Sequence, residues 1–196
     1  MLIQVGGAEL LRDEQLYIAH KAANPTAYPP SQTIMDEYKL RSEDIGRYPP
    51  TNVQLQLWDD LCHVPHTLSF TRPAKYMYRS VAQFGAWALG EAQHKSLPVT
   101  DDDHLSIISS GPGTDHESST NLPASKSRGV DQVDRFRPTD NKGQQATGTV
   151  GRAGDPIPAF QDHMIRQRVD RHGVTYDLAP ESDLPCLHLD PESIGA

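Results

Sequence analysis

Aromatic and charged residues are distributed unevenly along the chain, and this asymmetry restricts the fold more than any other feature. All but three of the aromatic residues precede residue 98, and most of the net charge of −8 falls after residue 97. A segment with few aromatic residues and excess charge buries too little apolar surface to fold alone. We therefore predict a folded unit over residues 1–92, a disordered acidic linker over 93–154, and a mostly disordered tail over 155–196.

The first part of the chain contains two patterns in which a strand precedes a helix. An apolar run over residues 2–5 ends at Gly6 and Gly7, which predicts a buried strand. Apolar residues then recur at helical spacing between Asp13 and Ala23. Strict alternation over residues 53–58 predicts a second strand with one face better buried than the other. The two patterns together predict an α/β fold with two parallel strands.

A second helix is predicted from about Pro73 to Gly90. Its core face is expected to carry residues that share one side at helical spacing: Met77, Val81, Phe84 and Ala88. Residues 24–52 are rich in proline and read as a surface excursion with a helical turn or two around 34–40. In the tail, Ile165 and Val169 share one face of a predicted short helix near 161–170.

Several classes of protein are excluded by the same composition. No apolar run approaches the ~20 residues that cross a bilayer, and the N-terminus lacks a signal-peptide pattern, so we expect a soluble intracellular protein. Two distant cysteines, Cys62 and Cys186, do not form a disulfide framework or a multi-cysteine zinc site. An acidic chain without a basic stripe is also expected to bind nucleic acid poorly, because such affinity depends on neutralising the phosphates. We expect no cofactor.

The loops that follow the two predicted strands hold the candidate chemistry. Ligands bind at the carboxyl ends of parallel strands, where Glu9 follows the first strand and His63 follows the second. A serine hydrolase needs a histidine base and a carboxylate that orients it. Glu9 could instead stabilise the start of the next helix. His63 and His66 form an H-x-x-H pair, but further ligands at suitable spacing are missing, so we expect no metal.

Two segments of the chain resemble a known family. Gly-Gly-Ala-Glu-Leu-Leu-Arg-Asp-Glu at 6–14 and Trp-Asp-Asp-Leu-Cys-His at 58–63 resemble the last two strand–loop–helix units of fold-3 α/β-hydrolases, the hormone-sensitive-lipase-like esterases and lipases. The resemblance covers roughly residues 1–92 and departs from the family at Glu9-Leu10, where Asp-Pro is more usual. It implies a fold that is the C-terminal βα-βα portion of an α/β-hydrolase sheet. It also implies hydrolysis of carboxylic esters through an acyl-enzyme, with Glu9 orienting His63 and His63 acting as base and then as acid.

The nucleophile of such an enzyme has no counterpart in the sequence. Neither a Gly-x-Ser-x-Gly elbow nor a His-Gly-Gly oxyanion loop occurs. Ser109 and Ser110 lie in the predicted linker without a preceding strand. We expect the serine on the N-terminal side of a complete domain, so the isolated chain should be inactive. An ester or lipid-like substrate then requires a complementary hydrolase fragment. The alternative is a non-catalytic remnant that acts as an interaction protein.

Overall fold

A computed structural model describes residues 1–47, 49–93 and 143–193 of the chain. The described residues form four α-helices and five strands. The helices are α1 (Arg12–Ala23), α2 (Gln32–Glu37), α3 (Ser42–Ile45) and α4 (Arg72–Gln93). The strands are β1 (Leu2–Gly6), β2 (Val53–Trp58), β3 (Gly148–Thr149), β4 (Met164–Val169) and β5 (Val174–Asp177). Both predicted strands and both predicted main helices are therefore present, and the proline-rich excursion carries the short helices α2 and α3.

The sheet is larger than the sequence predicted. Its strand order is β1-β2-β4-β5-β3, and β1, β2 and β4 run parallel. β5 is antiparallel to β4, and β3 is antiparallel to β5. The predicted tail thus supplies β4 and β5, and the predicted linker supplies β3, so β2 lies inside the sheet instead of at its edge. The α/β character is confirmed, whereas a sheet of only two strands is wrong.

The short helix predicted near 161–170 is also wrong, because this segment is strand β4. Residues four apart share a face in a helix, but they share a face in a strand as well. The spacing of Ile165 and Val169 therefore fits both structures. Pairing decides between them: β4 lies along the second edge of β2, with Val53 beside Met164 and Trp58 beside Val169.

The prediction of a disordered tail is therefore wrong for much of its length. Residues 155–193 of the tail contribute β4 and β5, and Cys186 and Leu187 pack against Leu16 in the apolar core on the α1 side. Strand β3 lies in the segment predicted as a disordered linker, so that prediction is wrong for residues 148–149. Of the predicted linker, only residues 93 and 143–154 lie within the described part of the chain. No helix in the described residues is long and apolar enough to cross a membrane.

Alternation along the strands gives the sheet two different faces. One face packs on α1 and is apolar, with Val5, Leu55 and Met164 in its core. The opposite face packs on α4, where Trp58, Val169 and Met77 form a smaller apolar cluster. Such double coverage is typical of parallel sheets.

The buried face of α4 differs from the predicted one. Its buried side chains are Ala74, Met77, Ser80, Gln83 and Gly90, whereas Val81 is 44% exposed. Met77 is buried as predicted, but two of the buried residues are polar, so a pattern based on apolar residues alone identified only part of the face. They face a sheet surface that is itself polar.

That polar surface comes from β2, which is buried on both faces. Gln54 and Gln56 are 2% and 1% exposed, so the expectation of one better-buried face is wrong. Polar groups in such a position need hydrogen-bond partners, because burial without them is costly. Their partners lie on β1, β4 and α4, as described below.

Candidate functional site

The loops that follow β1 and β2 are joined by their backbones. The Gly7 N–H donates to the Trp58 carbonyl at 2.7 Å, and the Ala8 N–H donates to the Leu61 carbonyl at 3.0 Å. A Cβ on Gly6 would overlap the Cys62 carbonyl oxygen, so only glycine permits this approach. These contacts fix the backbone of Glu9 next to that of His63.

Glu9 and His63 are in direct contact. The Oε2 atom of Glu9 lies within hydrogen-bonding distance of Nδ1 of His63, and Gly6 donates its N–H to Oε1 at 2.9 Å. The Glu9 side chain is 2% exposed, whereas that of His63 is 58% exposed. A buried carboxylate with both oxygens engaged therefore holds one edge of an accessible imidazole ring.

This arrangement determines which ring nitrogen of His63 can act as a base. The carboxylate accepts a hydrogen bond from Nδ1, so a neutral ring carries its proton there. Nε2 then carries the lone pair and can take a proton from a nucleophile. Carboxylates in Ser-His-acid triads orient the histidine in this way.

The contacts show that Glu9 makes no hydrogen bond to the start of α1. Leu11 occupies the N-cap position of α1 and makes no side-chain capping hydrogen bond. Asp13 and Glu14 supply the negative charge in the first turn of this helix. Both oxygens of Glu9 are taken by Gly6 and His63 instead. Glu9 therefore links two loops and does not cap a helix.

The loop that carries His63 has a left-handed backbone conformation on both sides of it, and this conformation is strained at Val64. Asp60 has a φ of 57° and Val64 a φ of 47°, both in the left-handed region. For a β-branched residue such as Val64 this conformation is rare and costs on the order of 1–3 kcal/mol. Such strain persists only where the surrounding structure holds it, and in proteins it is concentrated at functional sites.

His66, the second histidine of the H-x-x-H pair, has a different environment. Its Nε2 lies 2.8 Å from Oε1 of Gln4, and its ring packs edge-on against Tyr78, whose hydroxyl donates to the His66 carbonyl at 3.1 Å. Burial lowers the pKa of His66. Its contacts are with a side-chain amide and an aromatic ring, and the residues that the structure describes contain no group of three or more potential metal ligands.

A network of buried and half-buried glutamine side chains was missed by the sequence reasoning. It joins Gln4, Gln56, Gln54 and Gln167 on the α4 face of the sheet, with Ser80 donating to Gln56 at 2.7 Å. Alternation of glutamine with apolar residues occurs both in strands with one exposed face and in this strand, which is buried on both faces, so the pattern does not distinguish them. The available signal was Ser80 and Gln83, three residues apart on the helix that covers this face.

Other predicted candidates cannot be assigned from the structure. Ser109 and Ser110 lie outside the described residues.

Comparisons with protein-family models, curated proteins and solved structures found no match to this chain.

Proposed function

We propose that this chain supplies the acid and the histidine of a Ser-His-Glu catalytic triad for the hydrolysis of carboxylic esters. The observation that carries the proposal is the contact between the buried carboxylate of Glu9 and Nδ1 of His63, which leaves Nε2 accessible. His63 would take the proton of the attacking serine and then return it to the leaving alcohol. Glu9 would hold the ring and stabilise the imidazolium.

The serine and the oxyanion donors come from another polypeptide segment in this proposal. The sequence contains no Gly-x-Ser-x-Gly elbow from which a nucleophile could approach Nε2. Large apolar side chains are exposed in the acid loop and between the histidine loop and α4, with Leu10 94% exposed and Phe70 77% exposed. Exposed apolar groups next to an incomplete site favour a complementary fragment that covers them.

The test is reconstitution. The chain is mixed with a fragment of a fold-3 esterase that carries the serine elbow and the oxyanion loop but lacks its own acid and histidine units. Hydrolysis of p-nitrophenyl butyrate is then measured. We expect activity in the mixture and none in either part. His63→Ala should lower kcat by about 10²–10⁴-fold, the usual range for general acid–base catalysis. His172→Ala, another exposed histidine, should have no effect.

Two results would contradict this proposal. Activity of the mixture that is unchanged in His63→Ala would show that His63 is not the base. Strong hydrolysis by the chain alone, abolished in His63→Ala, would show that the chain contains its own nucleophile.

A second candidate is a non-catalytic interaction protein. The exposure of Leu10 and Phe70 favours this role as well, because apolar loop residues also mark protein contacts. The two functions differ in the activity of the wild-type mixture. In an interaction protein, the esterase fragment binds to the wild-type chain and to His63→Ala, and both mixtures are inactive.

A further inference from the structure

The face of α4 that points away from the sheet is apolar. We call it the outer face, and its residues recur three and four positions apart along one side of the helix: Tyr78, Val81, Ala82, Gly85, Ala88, Leu89 and Ala92. The three largest side chains are well exposed: Tyr78 is 47%, Val81 44% and Leu89 56% exposed. A Cβ on Gly85 would meet no atom within 4 Å. The middle of the outer face is therefore uncovered in the described part of the chain.

This pattern is the reverse of the usual one for a surface helix. Surface helices normally turn their charged and polar side chains outward. In α4 the polar residues Ser80 and Gln83 are buried instead, and no charged residue occurs between Ser80 and Gly90. The glutamine network explains the polar inner side, because Ser80 donates to Gln56. An apolar outer side in addition is typical of a helix that is covered from both sides.

The residues of the outer face are arranged symmetrically about Gly85. Ala82 and Ala88 lie three positions before and after it, and Val81 and Leu89 lie four positions before and after it. An identical helix, packed antiparallel with Gly85 at the crossing point, therefore brings alanine level with alanine and Val81 level with Leu89. Two-fold contacts of this kind, in which one patch meets itself, are the commonest in homo-oligomers.

The charges of α4 favour the same orientation. Its basic residues all lie in the first half of the helix: Arg72, Lys75 and Arg79. Its acidic residue, Glu91, lies near the end. In a parallel pair the two basic halves would lie side by side and repel each other. In an antiparallel pair each basic half lies beside the acidic end of the other helix, with Arg79 level with Glu91, and the two helix dipoles are opposed.

We propose that the outer face of α4 is an interface between two copies of this chain, packed antiparallel about Gly85. Each copy offers the other an apolar centre with opposite charges at its two ends. One helix from each copy gives a small interface, so the dimer forms reversibly and its population depends on concentration. The interface is independent of ester hydrolysis, because it uses neither Glu9 nor His63.

The test is sedimentation equilibrium of the full chain at concentrations from low micromolar to near millimolar. We expect monomers and dimers in proportions that follow mass action. Gly85→Glu should weaken the dimer by at least about a hundredfold, because it brings two carboxylates together at the centre of an apolar contact. The monomer should still fold, because the new side chain enters open space and glutamate is a better helix former than glycine.

Gly46→Glu is the matched control. Gly46 follows α3, is exposed, and would also place its Cβ in open space. This variant therefore adds the same residue and the same charge away from the outer face, and its dimer should dissociate as that of the wild type does. Circular dichroism and Tm of both variants show whether each is folded.

Cysteine cross-linking tests the orientation, in a chain whose exposed Cys62 is replaced by serine. A disulfide requires Cα atoms within about 7 Å of each other. Gly85→Cys meets this condition at the crossing point and should give a covalent dimer on oxidation. Tyr78→Cys should not, because the two copies of residue 78 lie roughly 21 Å apart along an antiparallel pair, at about 1.5 Å per residue.

The proposal is overturned if the wild-type chain is monomeric at every concentration, if Gly85→Glu dimerises as the wild type does, or if Gly46→Glu weakens the dimer equally. A covalent dimer of Tyr78→Cys would overturn the antiparallel arrangement. A monomer that binds phosphatidylcholine vesicles, and loses this binding in Gly85→Glu, would assign the outer face to a lipid surface instead.

Discussion

Val169→Ala tests whether the tail is part of the core. Val169 is 0% exposed in β4 and packs in one cluster with Trp58 and Met77, which come from the first part of the chain. If β4 belongs to the folded unit, shortening this side chain must destabilise the whole protein. If the tail were disordered, the change would have almost no effect.

The expected magnitude follows from the two methyl groups that are lost. Their burial accounts for about 1.6 kcal/mol, at roughly 0.8 kcal/mol for each carbon. The space left behind adds on the order of 1 kcal/mol, since the surrounding side chains relax only partly. Val169→Ala should therefore lower the free energy of unfolding by about 2–3 kcal/mol, which lowers Tm by roughly 4–12 °C in a chain of this size.

The assay is urea unfolding followed by tryptophan fluorescence, since Trp58 lies in the same cluster. The control is Val81→Ala, because Val81 is 44% exposed on α4 and should change the free energy of unfolding by no more than about 0.5 kcal/mol. Equal small effects for both variants would refute the placement of β4 in the core. A large effect for Val169→Ala alone would support it.

Three further predictions concern Glu9, Gly6 and the buried histidine of α1, His20. Glu9→Leu leaves the buried N–H of Gly6 without its acceptor and should cost about 1–3 kcal/mol in urea unfolding, whereas Glu9→Gln keeps an acceptor and should cost less. Gly6→Ala places a Cβ against the Cys62 carbonyl oxygen, and backbone must shift to relieve it, so a loss of about 1–3 kcal/mol is expected by thermal unfolding. Burial lowers the pKa of His20, so the unfolded chain binds its proton first; stability should fall as the pH drops below about 6.5, and less so in His20→Gln. A pH profile of that variant identical to the wild type would exclude His20 as the cause.

Local sequence patterns correctly predicted the strands and the main helices of residues 1–92. Both strands and both main helices of the first part were found, because period and length separate a strand of six residues from a helix of twenty-two. The contact between Glu9 and His63 also followed from a general rule, since parallel strands bring their carboxyl ends to one edge. Their catalytic role remains a prediction.

The tail could not be predicted in the same way. A spacing of four residues fits a strand and a helix equally, and the strand conformation of β4 depends on its pairing with β2, more than a hundred residues earlier. Composition was misleading for a related reason. Segments with few aromatic residues can fold when another part of the chain offers an open sheet edge and an apolar surface.

The position of the tail changes how the candidate site is held. The Asp59 N–H donates to the Val169 carbonyl at 2.8 Å, and Arg168 forms an ion pair with the Asp59 carboxylate at 3.0 Å. These contacts join β4 to the loop that carries His63, on the side opposite to Glu9. The histidine is therefore positioned from both neighbouring strands, by the carboxylate after β1 and by the backbone and arginine of β4. A folded unit limited to residues 1–92 would lose one of these two supports, so the geometry of the Glu9–His63 pair depends on a part of the chain that the family resemblance does not cover.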